Sequence, residues 1–402
     1  MSGNGVRNRR AGGNRRRLPR AKRISQAVTK QDLTALKELA RTGNGFQTTR
    51  LRRRAWPLLL NFRALTLADS CVSSHGQEAH ADEGQVALDV ARARLPTTTE
   101  FRRDEAATRR RQRQLSNVVC GVLRAHPWLS YYQGFHELAL TFLCVFGSER
   151  AAIEASRMAA LFFVRDAMGS SLEHVMQQLQ LLYVLLKSIS PKVHQMLVQE
   201  LEVPPFFAIS WLLTWFAHDI TGFDDVCRIY DFLIVSPPMQ VVYMAAAMIK
   251  RSEAAILDLD RDFASVHTAL SKLPSQIDDW LPVIEESYYL EIEYPATKLQ
   301  HMGACHLPRL SAINSFEATW KRLDPARPLD FGNLVPVKAA HPLAEKESGG
   351  EGNRMARVID LTSTAQKARN LALEHRWGLA VVTMASATVL MYAWMMMMQV
   401  YP

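Results

Sequence analysis

A chain of 402 residues, 48% hydrophobic and 22% charged, can bury a large core and is not a disordered polymer. The net charge of +9 is local: residues 1–30 hold ten Lys or Arg and no acid, and subtracting those ten leaves −1 for residues 31–402. A near-neutral body argues against a nucleic-acid-binding fold, and five scattered cysteines (Cys71, Cys120, Cys144, Cys227, Cys305) argue against a disulfide scaffold.

Residues 1–28, rich in Gly, Asn and Arg, read as a disordered basic arm. It has no apolar run of the kind found in a cleavable secretory signal. Leu33, Leu36, Leu39 and Ala40 recur at helical spacing and predict a first helix, stopped by Gly43-Asn44-Gly45. A second helix begins near Thr48-Thr49 and carries Leu51, Ala55 and Trp56. Pro57 predicts a bend or break in it, because proline cannot donate a backbone hydrogen bond. Arg52 reads either as the buried partner of a carboxylate supporting a packed Trp56, or as a surface residue. Residues 65–83 are mixed and polar, and predict a loop. Residues 84–94 predict a helix that sets Asp89 and Arg92 at i, i+3 on one face. Arg94, two positions on, faces another side. The charged run Arg102–Arg113 reads as a solvated face.

From Leu115 onward helical stripes follow with little pause. They are Leu115–Leu123, Phe135–Leu143, Ile153–Phe163, Leu172–Leu186, Pro191–Leu201, Phe206–Ala217, Asp224–Val235, Met239–Ile249, Glu253–Leu259 and Phe263–Leu273. Nothing alternates with a period of two, so the fold class is all-α, with more than ten helices and no repeat period. Phe206–Ala217 is apolar nearly all round and predicts a central buried helix. Phe232–Ile249 is apolar enough to suggest a membrane span, but Ser236-Pro237-Pro238 divides it into pieces too short to cross, so it reads as core. Residues 296–372 lose periodicity and read as a mostly irregular linker. Residues 377–398 are 22 successive positions without charge, about 33 Å of helix, and predict a transmembrane tail anchor. Lys367, Arg369 and Arg376 flank it and would keep the preceding domain cytosolic.

The chemistry-bearing stretch is Trp128–Leu138, WLSYYQGFHEL. The Gln133 amide both donates and accepts hydrogen bonds, and Gly134 permits a sharp turn and close approach of another surface. No nucleophile pair, phosphate-binding glycine loop or metal-ligand cluster surrounds it. His126, His136 and His218 have no partners at metal or triad spacing and read as structural. An amide that orients water and a guanidinium that neutralises phosphate charge are what GTP hydrolysis requires from outside a slow GTPase.

Val86-x-x-Asp89-x-x-Arg92 resembles the IxxDxxR motif of TBC-domain Rab GTPase-activating proteins, and Tyr131-x-Gln133-Gly134 resembles their YxQG motif. Both stand in the family's order, with Arg52-x-x-x-Trp56-Pro57-Leu58-Leu59-Leu60 before them and Trp211-x-x-x-Trp215-Phe216 after them. The resemblance runs over about residues 30–290 and is strongest to a membrane-anchored branch of the family. It implies an all-helical TBC domain over residues 29–295, with a motif core at about 48–250. It further implies that Arg92 enters a Rab GTPase's nucleotide site and that Gln133 orients the attacking water there. Asp89, Tyr131, Gly134, Arg52 and Trp56 take supporting roles. The implied partner is a Rab-family GTPase in its GTP–Mg²⁺ form; this chain would need no cofactor or metal of its own, turn over no substrate itself, and bind no nucleic acid. The implied location is the endoplasmic reticulum membrane, in early secretory traffic. A catalytically inactive, membrane-tethered Rab-binding scaffold is one alternative, and nucleic-acid binding through the basic arm is another. The sequence departs from the family pattern at Val86, Arg53 and Tyr230, none of which is one of the two proposed catalytic positions.

Overall fold

In a computed structural model of the chain, the described residues are 18–61, 78–95 and 105–320. Expectations for the first 17 residues, for 62–77, for 96–104 and for everything beyond 320, the anchor at 377–398 included, lie outside them. Among the described residues, regular structure is entirely helical and none of the helices is long and apolar enough to cross a membrane.

The first helices are α1 (Arg20–Thr29), α2 (Leu33–Arg41) and α3 (Thr49–Leu59). Disorder through residue 28 is therefore corrected from Arg20 on. Ile24 and Ala27 bury one face of α1, and the Arg20 guanidinium donates to the carbonyls of Gly45 (2.9 Å), Leu39 and Thr42. A charge counted as solvated is used to cap a turn. Pro57 does not break α3, because it lies two residues from the helix end, where Leu60 N still reaches Trp56 O at 2.8 Å.

Next come α4 (Glu83–Ala91), α5 (Glu105–Ala125), α6 (Phe135–Phe146), α7 (Glu149–Phe162), α8 (Glu173–Ile189) and the short α9 (Pro191–His194). Helix α6 is central: it packs on α3, α4, α5, α7 and on α10 (Ile209–Thr214). The long buried helix expected over Phe206–Ala217 is broken. A tight turn over Pro205–Ala208 leads into α10, which stops at Thr214 because Trp215 (φ 53°) and Phe216 (φ 65°) are left-handed. Such residues cost roughly 1–3 kcal/mol each. The burial of both rings opposes that cost: Trp215 lies edge-on to Tyr230, and Phe216 stacks on Trp211.

Helices α11 (Phe223–Leu233), α12 (Gln240–Arg251), α13 (Glu253–Leu257), α14 (Phe263–Lys272) and α15 (Leu281–Glu293) complete the body. Residues 240–249 of α12 are all buried against neighbours that include α8 and α15, as the core reading of that run expects. The mostly irregular linker expected over 296–372 is corrected for residues 296–320 by α16 (Ala296–Met302) and α17 (Ala312–Trp320). Phe316 and Trp320 join Phe163 in an aromatic cluster. Asp166 accepts from the Ser311 hydroxyl and from Ala312 N (2.8 Å), and Arg165 donates to Leu310 O (2.7 Å). These contacts span about 145 residues of chain, so local periodicity gives no sign of them.

Two buried side chains tie the first helices to α11. Asp231, fully buried, accepts from Arg52 Nε (3.1 Å) and Nη2 (3.0 Å), Trp56 Nε1 (2.8 Å) and Phe46 N (2.9 Å). Arg228 donates to the carbonyls of Gly43 (2.8 Å) and Ala40 (3.0 Å). Of the two sequence readings of Arg52, the buried carboxylate partner is the one observed.

Candidate functional site

Helix α4 is fixed at its start. The Asp82 carboxylate accepts from Tyr131 N at 2.7 Å, and Glu83 takes both Nε and Nη2 of Arg124 on α5, which holds the Glu83 carboxyl below its ordinary range. Val86 and Val90 bury its inner face, and Asp89 falls on that face fully buried. A buried carboxylate requires donors. Asp89 Oδ1 accepts from Gln85 Nε2 (3.0 Å) and from Arg92 Nη2; Oδ2 accepts from the Tyr131 hydroxyl at 2.9 Å. The helix ends at Ala91, three residues earlier than the 84–94 reading has it, so that Arg92 follows the last helical residue, with its N–H on Asp89 O at 3.3 Å. Its side chain is 54% exposed, tethered at one end and open to a partner.

The second motif is a turn bound to the same carboxylate. Tyr131 reaches Asp89, and the next ring, Tyr132, donates to Leu213 O at 2.7 Å. Gln133 is partly exposed, and Gly134 (φ +121°) opens α6. A Cβ on Gly134 would stand 3.1 Å from Thr214 Cγ2 and 3.5 Å from Tyr132 Cε2. Gly134→Ala is expected to shift the turn bearing Gln133, at a cost of about 1–3 kcal/mol for the conformation alone. Chemical denaturation checks the stability loss, and Gly134→Ala unfolding at the wild-type midpoint would refute it.

Beyond Gly134 lies a polar line with no sequence signal. His136 Nδ1 is 2.8 Å from the Tyr131 hydroxyl. Glu137 accepts from His218 Nδ1 at 2.7 Å, which raises the His218 pKa above its ordinary value. His136 and His218, isolated in sequence, are thus partnered. His126 is buried and pushed down to about 4 by desolvation and by Arg157. Sequence reasoning also missed Asp82, Gln85 and Leu88. Only Gln85, spaced i, i+4 from Asp89, carried a local clue. Leu88 is 66% exposed and lies one turn before Arg92 on the same side. Arg52 and Trp56 sit on Asp231 in the core.

The geometry thus joins the two motifs through Asp89, with Arg92 projecting outward. The family model of the Rab-GTPase-TBC domain matches residues 49–257, which include both motifs and the Arg52–Asp231 pair. The chain belongs to the TBC-domain Rab GTPase-activating protein family. TBC1 domain family member 20 of Homo sapiens is 32% identical over 295 residues, covering 72% of this chain and 71% of that protein. GTPase-activating protein gyp10 of Schizosaccharomyces pombe is 30% identical over 258 residues, covering 63% of this chain and 68% of that one. Among solved structures, the Ypt/Rab-GAP domain of Gyp1p superposes with a TM-score of 0.53 at 18% identity, covering 67% of this chain and 99% of that chain, a likeness of fold.

Within the TBC domain, the departures from the family pattern have local explanations. Val86 is fully buried, as the apolar motif position requires. Arg53 donates through Nε to Val145 O near the end of α6. Tyr230 packs against Trp56, Phe142 and Trp215, and its hydroxyl donates to Thr214 O at 3.1 Å.

Proposed function

We propose that this chain activates GTP hydrolysis by a Rab-family GTPase in its GTP–Mg²⁺ form, with Arg92 and Gln133 acting in trans. Phosphoryl transfer is governed by positioning and charge stabilisation, and an arginine supplied from outside meets the charge that develops on the phosphates. Arg92 is built for delivery: a buried carboxylate holds one terminal nitrogen of its guanidinium while more than half of the side chain stays exposed. Gln133 would orient the attacking water, and Tyr131 and Gly134 set the turn that carries it. Leu88 would supply apolar contact beside the arginine.

The single observation that carries this reading is the Tyr131–Asp89 hydrogen bond at 2.9 Å, which couples the glutamine turn to the arginine's anchor. Membrane tethering through residues 377–398 and action at the endoplasmic reticulum, in early secretory traffic, complete the proposal. Their support is the uncharged run itself and the similarity to TBC1 domain family member 20.

The test is single-turnover GTP hydrolysis by a panel of purified Rabs, with and without the full-length chain. A rate increase for at least one Rab is expected. Nucleotide-dependent binding without any rate increase would establish the inactive scaffold instead.

A further inference from the structure

We propose that His136 is a positioning residue for Arg92, acting through Tyr131 and Asp89 by means of the proton on its Nδ1. This rests on reading Arg92 as the arginine presented to the GTPase. A carboxylate can only accept, so the contact between Tyr131 Oη and Asp89 Oδ2 at 2.9 Å uses the phenol's single proton. The second contact of Tyr131 Oη, 2.8 Å from His136 Nδ1, must then be one in which oxygen accepts. His136 Nδ1 therefore carries hydrogen.

The other ring nitrogen does not compete. His136 Nε2 lies 3.8 Å from Glu137 Oε1, outside hydrogen-bond range, and that oxygen accepts from His218 Nδ1 at 2.7 Å. Burial lowers the His136 pKa; Glu137 and Asp89 oppose that shift, while Arg92 and His218 add to it. The ring is thus held neutral, with its one proton on Nδ1.

The direction of these bonds has a consequence for the arginine. Were residue 136 apolar, the Tyr131 oxygen would lose the donor that fixes the phenol and aims its proton at Asp89, and the Tyr131–Asp89 bond would weaken. Asp89 would then be held chiefly by Gln85 and Arg92, and the exposed Arg92 would have a looser origin. With a donor at position 136, the Tyr131 proton has one acceptor, Asp89. The sequence His136 → Tyr131 → Asp89 ← Arg92 is a one-way chain whose last member faces the partner.

The test compares full-length chains bearing His136→Asn, which can still donate from the branch where Nδ1 stood, and His136→Leu, which cannot. With a Rab stimulated by the unsubstituted chain, His136→Leu is expected to lower the maximal single-turnover rate by up to about tenfold, the upper end of what one neutral hydrogen bond contributes. The half-saturating concentration should stay unchanged, and His136→Asn should restore most of the rate. In parallel, ¹⁵N-histidine spectra of the unsubstituted chain should show His136 protonated on Nδ1 at neutral pH. An Nε2-protonated ring, a His136→Leu variant as active as wild type, or equal losses in both variants would overturn the assignment. If the unsubstituted chain stimulates no Rab, the reading of Arg92 fails instead, and the ¹⁵N spectra still decide the direction of the chain.

Discussion

Arg92→Ala is expected to lower the maximal rate of stimulated GTP hydrolysis by about 10³–10⁵-fold, the contribution of an arginine supplied in trans to a slow GTPase. The cause is the loss of positive charge where charge develops on the transferring phosphoryl group, so binding of the GTP-loaded partner changes far less than the rate. Arg92→Lys keeps the charge but not the fork, because an ammonium cannot make two parallel hydrogen bonds to phosphate oxygens, and it recovers only a small part of the loss. Gln133→Ala is expected to lower the rate by about a hundredfold, the scale associated with a misplaced reacting group. Single-turnover hydrolysis at saturating full-length chain measures all three. The fold should survive each change, since Arg92 is half exposed and Asp89 retains Gln85 and Tyr131 as donors. Full stimulation by both Arg92 variants would remove this residue from the mechanism, whatever the behaviour of Gln133.

The parts of the molecule legible in the sequence are those whose signals are local. Apolar residues at helical spacing give α2, α5 and α8 directly, and the i, i+3 spacing of Asp89 and Arg92 survives as an ion pair even though the helix ends between them. Proline and glycine were weaker guides. Pro57 stands inside α3 because little helix remains for it to disturb, and α10 is ended by Trp215 and Phe216, two aromatics with no reputation as helix breakers. Their left-handed backbone is imposed by where both rings pack, a tertiary cause that no window of sequence contains. The same holds for α1 and α17. Arg20 and Trp320 look like solvent and linker residues until their partners, Gly45 and Phe163, are brought to them by the fold. At the site, the arginine and the glutamine were legible by resemblance to a family. The support behind them was not: Asp82, His136 and Glu137 are ordinary residues whose hydrogen bonds reach across elements.

The largest stability effect is expected far from the arginine. Asp231→Ala destabilises the fold by about 3–5 kcal/mol, the cost of breaking a buried ion pair from one side. Without the carboxylate, Arg52 is a 2% exposed cation with no counter-charge, its Nη1 already lacking a partner, and Trp56 Nε1 and Phe46 N lose their acceptor as well. Removing both charges is a different perturbation. Arg52→Met with Asp231→Leu leaves no buried ion uncompensated and should unfold at higher denaturant than Asp231→Ala alone, a non-additivity expected only if the two side chains form one unit. Denaturant unfolding of the full-length variants measures the cycle, and equal losses in the single and double variants would show that the carboxylate serves the backbone of Phe46 and the indole of Trp56 rather than the guanidinium. The pair also reaches the site through the chain. Asp231 fixes α11, the neighbouring Tyr230 holds the carbonyl of Thr214, and the Thr214 methyl stands close enough to Gly134 that a Cβ there would lie 3.1 Å from it. Loosening the clamp therefore releases the wall behind the turn that carries Gln133, so Asp231→Ala should lose stimulation at lower denaturant concentrations than those that unfold it globally.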